Sequence, residues 1–109
     1  MKTKTYRSIV AKINNHIRDN SYIQGTHYRW YVGITGDVDR RKVEHLTEEP
    51  DMRHFKAYYA YSAKIASEIE DYFAKKGTAN KVGSRGANEN SKLVYVYKIP
   101  LYNLYFHKP

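Results

Sequence analysis

The stretch WYVGITGDVDRRKVEHL, residues 30–46, changes character halfway along. From Trp30 to Thr35 it is aromatic and β-branched and reads as a strand. Gly36 breaks the pattern, and Asp37 is a good N-cap for a basic helix running to about Leu46, with Val38, Val43 and Leu46 as its apolar face. Gly33 inside the strand marks a bulge or a close backbone approach. Arg41 and His45 are four residues apart and so share one side of the helix. Tyr31 and Gly33 lie on the strand that feeds it, so strand and helix can bring a tyrosine, an arginine and a histidine into one volume.

Outward from this stretch the chain alternates between the two regular periods. YRSIVAKINNHIRDN, residues 6–20, places Ile9, Ile13 and Ile17 at helical spacing with Val10 as companion. SYIQG and HYRWYVGIT read as two short strands of a hairpin turning at Gly-Thr. HFKAYYAYS, residues 54–62, is rich in strand formers, and Ser62 can cap a helix over AKIASEIEDYFAKK with Ile65, Ile69, Tyr72 and Phe73 on one face. Lys75, Lys76 and Gly77 suit the end of that helix. A Gly/Asn/Ser-rich loop follows, then KLVYVYKI, residues 92–99, as a strand. The expected fold is α+β, a small, mainly antiparallel sheet flanked by helices in the order α-β-β-α-β-α-β.

The chain has 109 residues, which is one domain. It divides into an N-terminal helix to residue 20, a core over 21–83, and a loop, strand and tail over 84–109. Twelve tyrosines and 41% hydrophobic residues suit a packed core. A net charge of +8 suits a nucleic-acid partner. With no cysteine, disulfides and thiolate metal sites are excluded. No apolar run approaches the ~18 residues of a membrane span, so a cytoplasmic protein without a membrane partner is expected.

Tyrosine, arginine and histidine together suit phosphodiester cleavage. Arginine offers a fixed fork for phosphate oxygens and for charge developing in the transition state, and tyrosine or histidine can take a proton from the attacking water. A carboxylate is needed for a divalent ion, and Glu70, Glu68 and Asp71 on the later helix all qualify by spacing. His54 is a further proton-transfer candidate, while His16, His27 and His107 read as structure or surface.

YVGITGDVDRRKVEH resembles the second half of the GIY-YIG nuclease signature. Tyr31-Val32-Gly33 stands for the YIG tripeptide, Thr35 and Asp37-Val38 for the turn and helix start, and Arg41 and His45 for the catalytic arginine and histidine. ASEIEDYF resembles the family's Ala-x-x-x-Glu segment, which implies that Glu70 is the metal ligand and Mg²⁺ or Mn²⁺ the cofactor. Asn80 resembles an asparagine seen beyond that helix. The first tripeptide, GIY, is absent, and Tyr22 in NSYIQG stands nearest to the place of its tyrosine.

The resemblance implies a metal-dependent endonuclease with Tyr31, Arg41, His45, Glu70 and Tyr22 in the site. Nucleic-acid contacts are expected from Arg40, Lys42, Arg53, Lys81 and Arg85, with Lys56 beside them. DNA stands ahead of RNA as partner, and a partner protein or self-association would supply specificity. The alternatives are a non-catalytic nucleic-acid-binding module on the same fold and a protein-interaction domain displaying the tyrosines of KAYYAYS and LYNLYF.

Overall fold

The computed structural model describes residues 2–22, 27–80 and 88–100. Helix α1, Lys4–Asp19, starts where the Thr3 hydroxyl accepts from the Tyr6 amide at 3.0 Å, and buries Ile9, Ile13 and Ile17 on successive turns. Strand β1, Trp30–Thr35, leads into α2, Val38–Glu48, whose first turn is capped by the Asp37 carboxylate on the Arg40 amide at 3.1 Å. Strand β2, Arg53–Tyr59, precedes α3, Ala63–Lys76, which is capped by Ser62 and closed by Gly77 at φ 105°. Strand β3, Leu93–Lys98, is the centre of an antiparallel sheet ordered β1-β3-β2. The fold is α+β as expected. No helix among the described residues is long and apolar enough to cross a membrane.

The expected hairpin before α2 takes a different form. Ser21 and Tyr22 are not in a strand, His27–Arg29 forms one 3₁₀ turn, and residues 23–26 lie outside the described residues. The reason is edge occupancy. β1 pairs along its whole length with β3, from Trp30↔Lys98 to Thr35↔Leu93. Its other edge meets Ala79, which accepts from the Val32 amide at 3.0 Å and donates to the Trp30 carbonyl at 2.8 Å. The pairing groups that a preceding strand would use there are already taken.

The sheet separates two cores by the alternation of its side chains. Trp30, Val32, Val94 and Val96 face α1 and α3, packing with Ile9, Ile13, Ile17, Ile69 and Phe73. Each such side chain contributes about 1.5–3 kcal/mol by burial. The opposite face carries Tyr31, Tyr95 and Tyr97 with Met52, Ile99 and Phe55. Val38 packs against this cluster as expected, but the rest of α2 turns inward a face different from the one expected. Val43 is 63% exposed and Leu46 37%, while His45 and Glu49 are buried. The surface that α2 covers is a row of phenols, and polar side chains satisfy it better than valine or leucine would.

Gly33 is explained by close approach, since the β1–β3 register runs through it without a bulge. A Cβ at this position would lie 2.5 Å from the Tyr95 hydroxyl oxygen and 3.0 Å from the Tyr31 ring. Tyr95 cannot simply swing aside, because its ring stacks on Phe55 at 5.7 Å and its hydroxyl is held by Arg41 and His45. Gly33→Ala is therefore expected to destabilise the fold by ~1–3 kcal/mol, the usual range for overpacking. Thermal unfolding followed by circular dichroism would register this as a melting point lower by several degrees, and an unchanged melting point would show that Tyr95 yields freely.

Candidate active site

Tyr31 and Tyr97 are direct cross-strand partners, with rings stacked 5.1 Å apart. Tyr95 lies opposite Gly33 and uses the space that the missing side chain leaves. From above, α2 presents Arg41, His45 and Glu49 at successive four-residue steps. His45 lies between Tyr95 and Tyr97, 2.8 Å from the Tyr95 hydroxyl through Nε2 and 3.0 Å from the Tyr97 hydroxyl through Nδ1.

The hydrogen bonds run in one direction. Tyr97 donates its hydroxyl to Glu49 Oε1 at 2.7 Å, so its oxygen can only accept from His45. His45 thus carries its proton on Nδ1 and offers the Nε2 lone pair to the Tyr95 hydroxyl. The Tyr95 oxygen in turn accepts from Arg41 Nη2 at 3.3 Å, and the Tyr31 phenol, stacked on Tyr95 at 6.0 Å, bears on it directly. The result is a relay from Tyr95 through His45 and Tyr97 to Glu49, with Tyr31 at its head.

The electrostatics grade along this relay. Burial, the neighbouring Tyr95 phenol and the bond donated to it raise the Tyr31 pKa well above the ordinary tyrosine value. Burial and the bond to Glu49 do the same to Tyr97. Burial raises Tyr95 too, but there the Arg41 hydrogen bond and charge pull the other way. Burial opposes the Arg41 charge, and its bonds to Tyr95 and to Glu44 at 2.8 Å outweigh this, keeping it protonated. Glu70 is buried on α3, and its charge bears on both Tyr31 and Tyr95.

No family model, curated protein or solved structure matches the chain. What the site can do therefore rests on its own chemistry.

Of the residues singled out in the sequence, Tyr31, Arg41 and His45 come together, and the charge of Glu70, buried on α3, bears on Tyr31. Tyr22 does not join them: it is 96% exposed, with its ring 5.3 Å from Lys98 Nζ, and the phenol that reaches the arginine and histidine is Tyr95. His54 is also elsewhere, its carbonyl accepting from His16 Nε2 at 2.7 Å beside Trp30 on the far face of the sheet. Asn80 follows Ala79 on the segment that bridges β1 at Tyr31. Arg40, Lys42, Arg53 and Lys56 are exposed, with Lys42 lying over the Phe55 ring. Lys81 and Arg85 lie outside the described residues.

Sequence reasoning missed Tyr95, Tyr97 and Glu49. Two signals pointed to them: the tyrosines alternate with valines in LVYVYK, and Glu49 extends the Arg41–His45 spacing by one more turn. Among the described residues no group of three or more His, Cys, Asp or Glu is gathered to hold a metal. Glu70, a buried carboxylate, suits a hard cation such as Mg²⁺ or Mn²⁺, which keeps several waters and takes substrate phosphate oxygens as further ligands.

Proposed function

We propose that the chain is a metal-dependent endonuclease hydrolysing nucleic-acid phosphodiester bonds, with a site of the GIY-YIG kind. The observation that carries the reading is the hydrogen-bonded cluster of Tyr31, Tyr95, Arg41 and His45, on which the Glu70 charge bears. On this reading Tyr95, from a strand late in the chain, does the work of the tyrosine in the absent GIY tripeptide. DNA is the preferred substrate and the cytoplasm the compartment. Specificity would come from substrate structure, a partner protein or self-association.

Tyr31 faces the attacking water. Burial makes a free Tyr31 phenolate too costly to exist beforehand, so it accepts a proton only while passing its own to Tyr95. Tyr95 passes its proton to His45 Nε2, and the resulting imidazolium is held by Tyr97 and Glu49. Arg41 binds the phosphate and offsets the charge that grows on its oxygens. Glu70 would hold the divalent ion, which when bound supplies positive charge at the phosphate and the leaving oxygen.

Incubating the protein with branched, single-stranded and duplex DNA and RNA, with Mg²⁺ or Mn²⁺, tests this directly. Cleavage that stops with a chelator is expected, and Arg41→Ala should slow it by about 10²-fold or more, the usual cost of a lost transition-state donor. Cleavage of equal rate in Arg41→Ala would sink the assignment. Salt-sensitive binding without cleavage under any of these conditions would favour the non-catalytic module.

A further inference from the structure

At the Trp30 end of β1, a cleft of about 710 Å³ opens beside the end of α1. Arg29, Arg53, His54 and Lys98 line it, together with Tyr22. Arg53 and Lys98 are cross-strand partners, as are Lys98 and Trp30, so the sheet itself gathers cations at this end. The β2–β3 register shifts between Arg53 and Lys56, and His54 adopts φ 58° within that irregularity. A left-handed backbone at a non-glycine residue is strained, and here it forms part of the cleft wall.

Three features of the wall call for an anion. Lys98 is nearly buried, with its ammonium donating to the Asn20 carbonyl at 2.7 Å. Burial and the charges of Arg29 and Arg53 push the Lys98 pKa down, the mark of cations held close together. Arg29 Nε is buried and has no hydrogen-bond partner, an arrangement that costs ~1–3 kcal/mol unless something accepts from it. Two carboxylates, Asp19 and Asp51, also line the cleft, but the Asp19 carboxylate is engaged by Arg18 Nε at 3.3 Å. Above Lys98 the exposed Tyr22 ring offers a flat stacking face at the cleft wall.

We propose that this cleft binds the phosphate of a nucleotide, with Arg29, Arg53 and Lys98 on the phosphate and Tyr22 stacked on the base. Its volume is in the range of small-ligand sites. Aromatic stacking beside cations is a general way to hold a nucleotide without reading its sequence. The phosphate belongs either to a free nucleotide or to a nucleic-acid strand. The proposal does not depend on the nuclease reading, since none of these four side chains belongs to the tyrosine cluster.

Trp30, the single tryptophan, is a built-in reporter, because its ring lies 5.8 Å from Lys98 Nζ. Its fluorescence would be followed while adding inorganic phosphate, adenosine monophosphate or a short single-stranded oligonucleotide, with calorimetry in parallel. Saturable binding of the mononucleotide is expected, weakened by about tenfold in Arg53→Ala, the loss of one charged hydrogen bond. Arg53 is exposed, so that variant keeps the fold, and Lys98→Met serves as a second variant once circular dichroism shows it folded. Lys64→Ala, which removes an exposed cation of α3 outside the cleft, should leave the titration unchanged. Binding of the oligonucleotide alone, lost in Arg53→Ala but kept in Lys64→Ala, would assign the cleft to a strand. Absence of binding by all three probes would overturn the proposal. So would binding that survives both cleft variants, or that is lost equally in Lys64→Ala.

Discussion

Tyr95→Phe is expected to lower kcat by about 10²–10⁴-fold, the span that positioned proton transfer contributes, with KM little changed. The substitution removes one oxygen and leaves the ring, which keeps its stacking on Phe55 and Tyr31. What it removes is the middle of the relay. Without that oxygen the Tyr31 hydroxyl has no route to His45 Nε2, and the Arg41 Nη2–H loses an acceptor. Tyr31 would then have to ionise outright, which its buried setting opposes.

Two further outcomes separate a relay from a merely structural hydroxyl. Stability should fall by only ~1 kcal/mol, the net worth of a buried hydrogen bond. Substrate affinity, read by binding in the presence of Ca²⁺, should be retained because no cation has been removed. A variant that binds substrate, melts near the wild-type temperature and still cleaves at full rate would remove Tyr95 from the mechanism. The same variant failing to bind would reassign the hydroxyl to positioning Arg41.

Local structure was legible in this sequence wherever a local cause fixed it. The Ile9, Ile13, Ile17 spacing became the buried stripe of α1, and Asp37, Ser62 and Gly77 became the expected caps. Legibility failed where partners come from afar. The expected hairpin rested on two strand-like runs being adjacent in sequence, yet β1 takes its partner from the far end of the chain, and that pairing brings Tyr95 and Tyr97 beside Tyr31. No local propensity reports such a choice. Val43 and Leu46 misled for another reason. A helix is expected to bury its apolar side, but α2 covers phenols and so buries His45 and Glu49. In a site built this way the polar stripe is the inner one, and the Arg41–His45 spacing read from the sequence stopped one turn short of Glu49.

Glu70→Gln is expected to abolish metal-dependent cleavage, by about 10³-fold or more, since a divalent ion is worth several kcal/mol at a phosphoryl centre and each 1.36 kcal/mol is a factor of ten. Glutamine keeps the size of the buried side chain, so packing beside Ile69 and Phe73 on α3 should change little. Its amide has no charge to offer a cation. A second consequence follows from the same charge. Mn²⁺ binding, followed by calorimetry without any turnover, should weaken at least tenfold in Glu70→Gln. If cleavage and Mn²⁺ binding are both lost while the melting point holds, Glu70 holds the ion through its charge. If both persist, another group holds the ion. Cleavage lost with Mn²⁺ binding kept and a lowered melting point would mean that the carboxylate matters to the packing of α3 and not to the chemistry.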